Sequence, residues 1–140
     1  MADIVDIQTL VDGERNLVVK LVGFLDTDNA SGTLIDLADV SPLNASGLNP
    51  ILPTSVAISK VTFTIEDGLA VNLYWEADEN TPIWRFVGRG KVDGKKFGNL
   101  QNNAAAGKTG NILYDTDGAP LPGDLAASFT ILVECIKQLN

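Results

Sequence analysis

The sequence predicts an all-β protein: an antiparallel β-sandwich, specifically a jelly roll of about eight strands with long loops. Apolar and polar residues alternate in most apolar segments, and this period of two is typical of strands with one buried face. Clusters of Gly, Pro, Asn and Asp separate these segments. No amphipathic helical segment lies between them, although an α/β fold would require several.

The first two apolar runs, 4–11 and 17–25, flank turn residues at 12–15 (DGER). The second run has apolar residues in both alternation phases, with Val19 and Leu21 in one and Val18 and Val22 in the other. Such a strand is covered on both faces, by its own sheet partner or by another subunit. A core strand is the favoured interpretation.

Residues 26–54 have a different composition. The segments 26–32 and 41–53 are rich in Asn, Ser, Gly and Pro, and between them only 34–37 (LIDL) suits a short strand. Long loops in a compact domain are usually functional or disordered. We expect 26–54 to form long exposed loops with an arm-like course, which its prolines favour.

The clearest pattern lies at 56–77. Apolar residues occupy the odd positions from 61 to 65 and from 69 to 75, on either side of Asp67-Gly68. Two alternating runs around Asp-Gly predict a β-hairpin with a type I′ turn. Upstream, Val56 and Ile58 lie in the opposite phase, so both sets can face the core only if an extra residue near Ser59 forms a β-bulge.

Three further strands are expected downstream. The strand at 83–87 holds Trp84 and Phe86, and a turn is expected at Asp93-Gly94. The strand at 112–114 is brief and ends at the turn residues 115–118 (DTDG). The last stretch has apolar residues at odd positions from 125 to 135, which predicts a long half-buried strand and a buried, structural Cys135.

Composition limits the function. The 140 residues fit a single β-sandwich domain, 1–140, and include no His and one Cys. Without His, the commonest general base and metal ligand is missing, and a single Cys cannot form an internal disulfide. We therefore expect no enzymatic activity, no cofactor and no metal site.

Charge and hydropathy bear on the partners. The net charge of −8 argues against binding of nucleic acid or of an anionic membrane surface, because both need a positive surface. No apolar run reaches the length of a membrane span, and the N-terminal residues lack the features of a secretion signal. We expect neither nucleic acid nor a membrane as a partner.

Two weaker sites can be weighed. The carboxylates at Asp115 and Asp117 have a spacing used by calcium loops, but Gly118 comes too early for that motif, and ordinary turn chemistry explains them as well. Tyr74, Trp75 and Trp84 could form a platform that stacks on sugars. Core packing is the favoured role, since Trp75 lies on the core phase of its strand.

Basic residues are concentrated in one segment, 85–96. It holds five of the ten cations and one acid, so it carries a net charge of +4 while the other residues carry −12. Such polarity suits a protein that docks a basic edge on an acidic partner, although a solvated hairpin is an equally good explanation. The cations are Arg85, Arg89, Lys91, Lys95 and Lys96.

Four stretches resemble a known class of protein. They are KVTFTIEDG at 60–68, VNLYW at 71–75, GKTGNIL at 107–113 and SFTILVE at 128–134. In their order along the chain and their pattern of residues, these stretches resemble small virion proteins of tailed bacteriophages, namely the capsid cement or decoration proteins. They are most similar to the jelly-roll type of a short-tailed phage. The resemblance covers roughly 55–138 and contains no catalytic motif.

The resemblance implies a homo-oligomer, a dimer or trimer, on the outside of the capsid of a virion assembled from proteins made in the host cytoplasm. Its partner would be the major capsid protein, whose neighbouring subunits it would clamp. No motif assigns the contacts, so we expect them in the 26–54 loops, in the basic segment and in the apolar N-terminal run of Ile4, Val5 and Ile7. Two alternatives stay open: a phage tail or neck structural protein, and a carbohydrate-binding β-sandwich module.

Overall fold

The computed structural model describes residues 4–13, 15–25, 29–42, 51–94, 98–104, 106–118 and 127–138. Within these residues the chain forms nine strands and one short 3-10 helix, Leu37–Asp39. The strands are β1 (Ile4–Asp12), β2 (Asn16–Leu25), β3 (Ser31–Ile35), β4 (Ser55–Ile65), β5 (Ala70–Trp75), β6 (Thr81–Val87), β7 (Arg89–Asp93), β8 (Ile112–Asp117) and β9 (Ala127–Gln138).

The strands form two antiparallel sheets. Sheet A has the order β1-β2-β9-β4-β7, and sheet B has the order β3-β8-β5-β6. From β2 onward the pairing is nested, because β2 pairs with β9, β3 with β8, β4 with β7 and β5 with β6. One long hairpin rolled up in this way is a jelly roll, with β1 added as a further strand beside β2. The predicted sandwich is confirmed.

The core lies between the sheets and is built from the alternation that the sequence shows. In β9, every second residue from Ala127 to Lys137 is buried, and the residues between them face outward. In sheet B, Trp75 is buried on the core side of β5, as predicted. Gly23 of β2 lies opposite Phe129, whose ring occupies the space that a side chain at Gly23 would need.

The predicted bulge in β4 is confirmed. Ile58 pairs with Cys135 and Lys60 pairs with Glu134, so Ser59 is the extra residue. Its hydroxyl donates a hydrogen bond to the carbonyl oxygen of Glu134 at 3.0 Å. The bulge lets both halves of β4 bury their apolar residues in one core.

The predicted hairpin around Asp67-Gly68 is wrong. Its two strands, β4 and β5, belong to different sheets and face each other across the core. The turn itself exists, since the N–H of Leu69 donates to the carbonyl of Glu66 at 3.1 Å. Only Gly68 has a positive φ (87°), which fits a type II turn, whereas type I′ needs positive φ at both central residues.

The turn predicted at Asp93-Gly94 follows a strand that the sequence did not indicate. Gly88, with φ of 68°, takes the chain from β6 in sheet B directly to β7 in sheet A.

The expected turn at 115–118 is also corrected, because β8 continues to Asp117. Of the expected loops at 26–54, the described part contains β3 and buried Leu34, Ile35 and Leu37, while 26–28 and 43–50 lie outside the described residues.

A buried ion pair joins β1 to β9, the two strands that flank β2 in sheet A. The Lys137 side chain is fully buried, and its Nζ donates to Asp12 Oδ1, to the carbonyl of Gly13 and to the carbonyl of Ser41. The Asp12 carboxylate also accepts from the Ser41 N–H at 2.9 Å. Partial burial alone would raise the pKa of Asp12, but the hydrogen bonds from Lys137 and Ser41 lower it below its ordinary value.

Candidate interaction surfaces

The outer face of sheet A has a mainly apolar centre, in which Lys20 of β2 and Glu134 of β9 lie between the apolar side chains. Val18, Val22 and Phe24 of β2 point away from the core, as do Leu132 and Ile136 of β9. All five are half-buried, and no layer within the described residues packs over them. One face of β2 lies in the core, whereas among the described residues no layer covers its second apolar face.

A basic edge borders this apolar centre. Arg89 and Lys91 of β7 lie opposite Thr64 and Thr62 of β4, which belong to the outward phase of sheet A. Both cations are exposed. They therefore lie on the same face as the apolar centre, at the β7 end of the sheet.

The structure divides the basic segment that is continuous in sequence. Arg85 is on the outer face of sheet B, where its guanidinium donates to Asn72 Oδ1 and to Asp117 Oδ2, each at 3.2 Å. Gly88 separates it from Arg89 by moving the chain to the other sheet. Lys95 and Lys96 lie outside the described residues.

The opposite edge of sheet A is apolar. Ile4 of β1 lies opposite Phe24 and is 57% exposed, so it extends the outer face. Val5 and Ile7 belong to the other phase, in which Val5 packs against the core and Ile7 is 39% exposed at the open side of the sandwich. Leu10 and Val11, which no sequence pattern singled out as contacts, are 51% and 46% exposed on the same strand.

The basic and apolar edges are far apart. β1 and β7 are the two outermost strands of sheet A, so four interstrand spacings, about 19 Å, separate them. The outer face of sheet A thus has an apolar centre between a basic edge and an apolar edge. An apolar centre with charge at its margin is the usual anatomy of a protein–protein interface.

The outer face of sheet B is polar. Asp115 Oδ1 accepts hydrogen bonds from Asn72 Nδ2 at 2.8 Å and from the Tyr74 hydroxyl at 3.4 Å. Burial, together with the neighbouring Asp115 carboxylate, raises the pKa of Tyr74. A cleft of about 400 Å³ lies beside this network, and Tyr114, Asn80 and Thr33 help to line it.

Cys135 is buried in the core. Burial, and to a lesser extent the neighbouring Glu134 carboxylate, raises the pKa of the Cys135 thiol, so it is a poor nucleophile. Among the described residues, no group of three or more His, Cys, Asp or Glu side chains is placed to hold a metal ion. No helix within that part of the chain is long and apolar enough to span a bilayer.

No family model, curated protein or solved structure matches this chain.

Proposed function

We propose that the chain is a virion structural protein, a capsid cement or decoration protein that binds the outside of a phage shell and clamps neighbouring major capsid subunits. The observation that supports this most is the outer face of sheet A, with its apolar centre and the exposed Arg89 and Lys91 at one edge. The face spans five strands of 5 to 12 residues, about 24 Å across the strands and about 33 Å along a strand of ten residues. That is about 800 Å², the share of one partner in a standard interface.

The charge distribution would orient the protein on its partner. The chain carries −8 overall, yet Arg89 and Lys91 form a local positive edge on the docking face. A partner with an acidic strip beside an apolar patch would be attracted to this edge and oriented by it. Burial of Val22, Phe24 and Leu132 would then supply most of the binding free energy.

Binding is tested by charge reversal on one face. Purified protein is mixed with shells of the source phage that lack it, and the bound fraction is measured after gradient sedimentation. We expect the Arg89→Glu/Lys91→Glu variant to lose shell binding while its thermal unfolding is unchanged. Arg85→Glu is the control, because the reversal of one cation on the outer face of sheet B should leave binding intact; equal binding by all three proteins would refute the assigned face.

Copy number separates the shell from the tail. In purified particles, a cement protein should be present in hundreds of copies at a fixed ratio to the main shell protein. A few copies per particle would favour the tail or neck alternative. Recovery only as free protein at the top of the gradient would reject a virion role.

A second candidate function is carbohydrate binding, which the polar face of sheet B favours. Asp115, Asn72 and Arg85 hold one another in fixed positions, and Tyr74 adds an aromatic ring beside the cleft of about 400 Å³. Oriented polar groups next to an aromatic surface suit the hydroxyls and apolar faces of a sugar. Reproducible binding on a glycan array, lost in Asp115→Ala, would place this function first.

A further inference from the structure

Sheet A extends beyond sheet B on the side of β1. Sheet A has five strands and sheet B has four, and the edge strand of sheet B on this side, β3, contacts β2. The core-facing residues of β2 are buried, and Leu21 is fully so, whereas Ile7 of β1, which lies opposite Leu21, is 39% exposed. The inner side of β1 is therefore only partly covered by the described residues.

A cleft of about 280 Å³ lies at this position, between β1 and β3. Its walls are mainly apolar, because β2 contributes Leu17 and Val19, β3 contributes Leu34 and Ile35, and β1 contributes the exposed Ile7. Small-molecule sites usually have volumes of about 300–1,000 Å³. This cleft is smaller, so it suits one or two side chains of a partner better than a whole cofactor.

The rim of the cleft is acidic. Asp36 and Asp39 line it and are exposed, and no ion pair among the described residues neutralises them. Asp12 also lines the cleft, but its carboxylate is held by the buried Lys137. The described lining residues include no Lys or Arg. Charge complementarity therefore favours a partner that is positively charged at this rim.

We propose that the cleft binds an extended basic segment of a partner protein, which inserts a branched apolar side chain beside Ile7 and places Lys or Arg against Asp36 and Asp39. Insertion would supply most of the affinity, because it removes from water the part of Ile7 that sheet B leaves exposed. The long stems of Lys and Arg can lie along the apolar walls while their charged ends reach the carboxylates.

This site is separate from the face that we assign to the shell. Ile7 belongs to the inner phase of β1, whereas Ile4, opposite Phe24, belongs to the outer face of sheet A. The cleft would thus bind its segment whether or not the outer face docks on a capsid.

Fluorescence anisotropy with a labelled synthetic peptide tests the cleft without any shell. The probe is a capped hexapeptide of alternating Lys and Val, and the comparison peptide has Glu in place of Lys. We expect the full-length protein to bind the Lys peptide, more weakly as the salt concentration rises, and not to bind the Glu peptide. Binding of neither peptide, or equal binding of both, would overturn the proposal.

Two substitutions on β1 locate the bound peptide. Ile7→Lys places a cation in the cleft and should abolish binding of the Lys peptide. Ile4→Lys is the matched control, because Ile4 is an exposed Ile on the opposite face of the same strand and its replacement should leave binding unchanged. If Ile7→Lys binds the peptide as the wild type does, the assigned cleft is wrong. Self-association of the wild type that Ile7→Lys abolishes in sedimentation would show that a second copy fills the cleft, which would also overturn the proposal.

Removal of the rim charges tests the basic character of the partner. Asp36→Asn/Asp39→Asn should raise the dissociation constant of the Lys peptide at least about threefold. Asn at position 36 can still accept the hydrogen bond from the Ala38 N–H that caps the short helix. Glu66→Gln/Asp67→Asn is the matched control, because it removes two exposed carboxylates at the other end of sheet B and should leave binding unchanged. Equal effects of the two double variants would refute a specific role of the rim.

Discussion

The ion pair between Asp12 and Lys137 predicts an asymmetric response to mutation. Lys137 is fully buried, whereas the Asp12 side chain is 22% exposed. Asp12→Ala leaves a buried ammonium without its counter-charge, a change that costs about 3–5 kcal/mol of folding free energy. Lys137→Met removes the charge but fills the same space, and the remaining carboxylate can reach water. Its cost is limited to lost hydrogen bonds, about 1–3 kcal/mol.

Urea unfolding followed by circular dichroism measures both variants. With a slope of about 2 kcal/mol per molar urea, the midpoint should fall by about 2 M for Asp12→Ala and by about 1 M for Lys137→Met. The double variant should cost less than the two single changes added together, because the second change removes the charge that the first had stranded. If Lys137→Met proves as destabilising as Asp12→Ala, or if the two effects simply add, the argument from the buried ammonium is refuted.

Three further predictions concern the same fold. Gly23→Ala should lower stability by about 1–3 kcal/mol in thermal unfolding, because the added Cβ would overlap the Phe129 ring; an unchanged melting temperature would show that the ring moves freely. Cys135 should resist alkylation in the folded protein and react on addition of denaturant, since burial raises its pKa; rapid labelling of the native protein would contradict this. Because the pKa of Asp12 is lowered in the fold, its carboxylate stabilises the protein at pH values above 3.8, its ordinary pKa. This contribution is lost as the pH falls through the folded-state pKa, so the difference in unfolding free energy between wild type and Asp12→Asn should shrink in acid. A difference that does not depend on pH would contradict this prediction.

Alternation along β4, β5 and β9 was sufficient to predict which of their apolar residues are buried. In β4, the change of phase between Ile58 and Val61 predicted the bulge, because only an extra residue can keep both halves of one strand in the same core. In β9, the same phase that buries Cys135 also buries Lys137. These features are local, since the direction of each side chain follows from its neighbours in sequence.

The sequence did not show which strands pair, and only the tertiary structure revealed it. Alternation around Asp67-Gly68 is the same whether β4 and β5 lie side by side or face each other across the core, so the hairpin prediction was wrong. The closeness of Arg85 and Arg89 in sequence did not show whether they share a surface, because Gly88 between them moves the chain from one sheet to the other. Asp12 is 125 residues from Lys137 in sequence, and nothing in a linear pattern connects them.

The sequence by itself determined most of the strands, the apolar residues that β4, β5 and β9 bury in the core, and the exclusion of chemistry that depends on His. Only the tertiary structure decided which polar and apolar residues share a surface, since this depends on the order of strands in each sheet. The outer face of sheet A is the clearest example: it combines Val22 of β2 and Leu132 of β9 with Lys91 of β7, which are far apart in sequence and meet because β9 inserts between β2 and β4. Contacts between distant segments are set by packing of the whole chain, and a period of two carries no information about them.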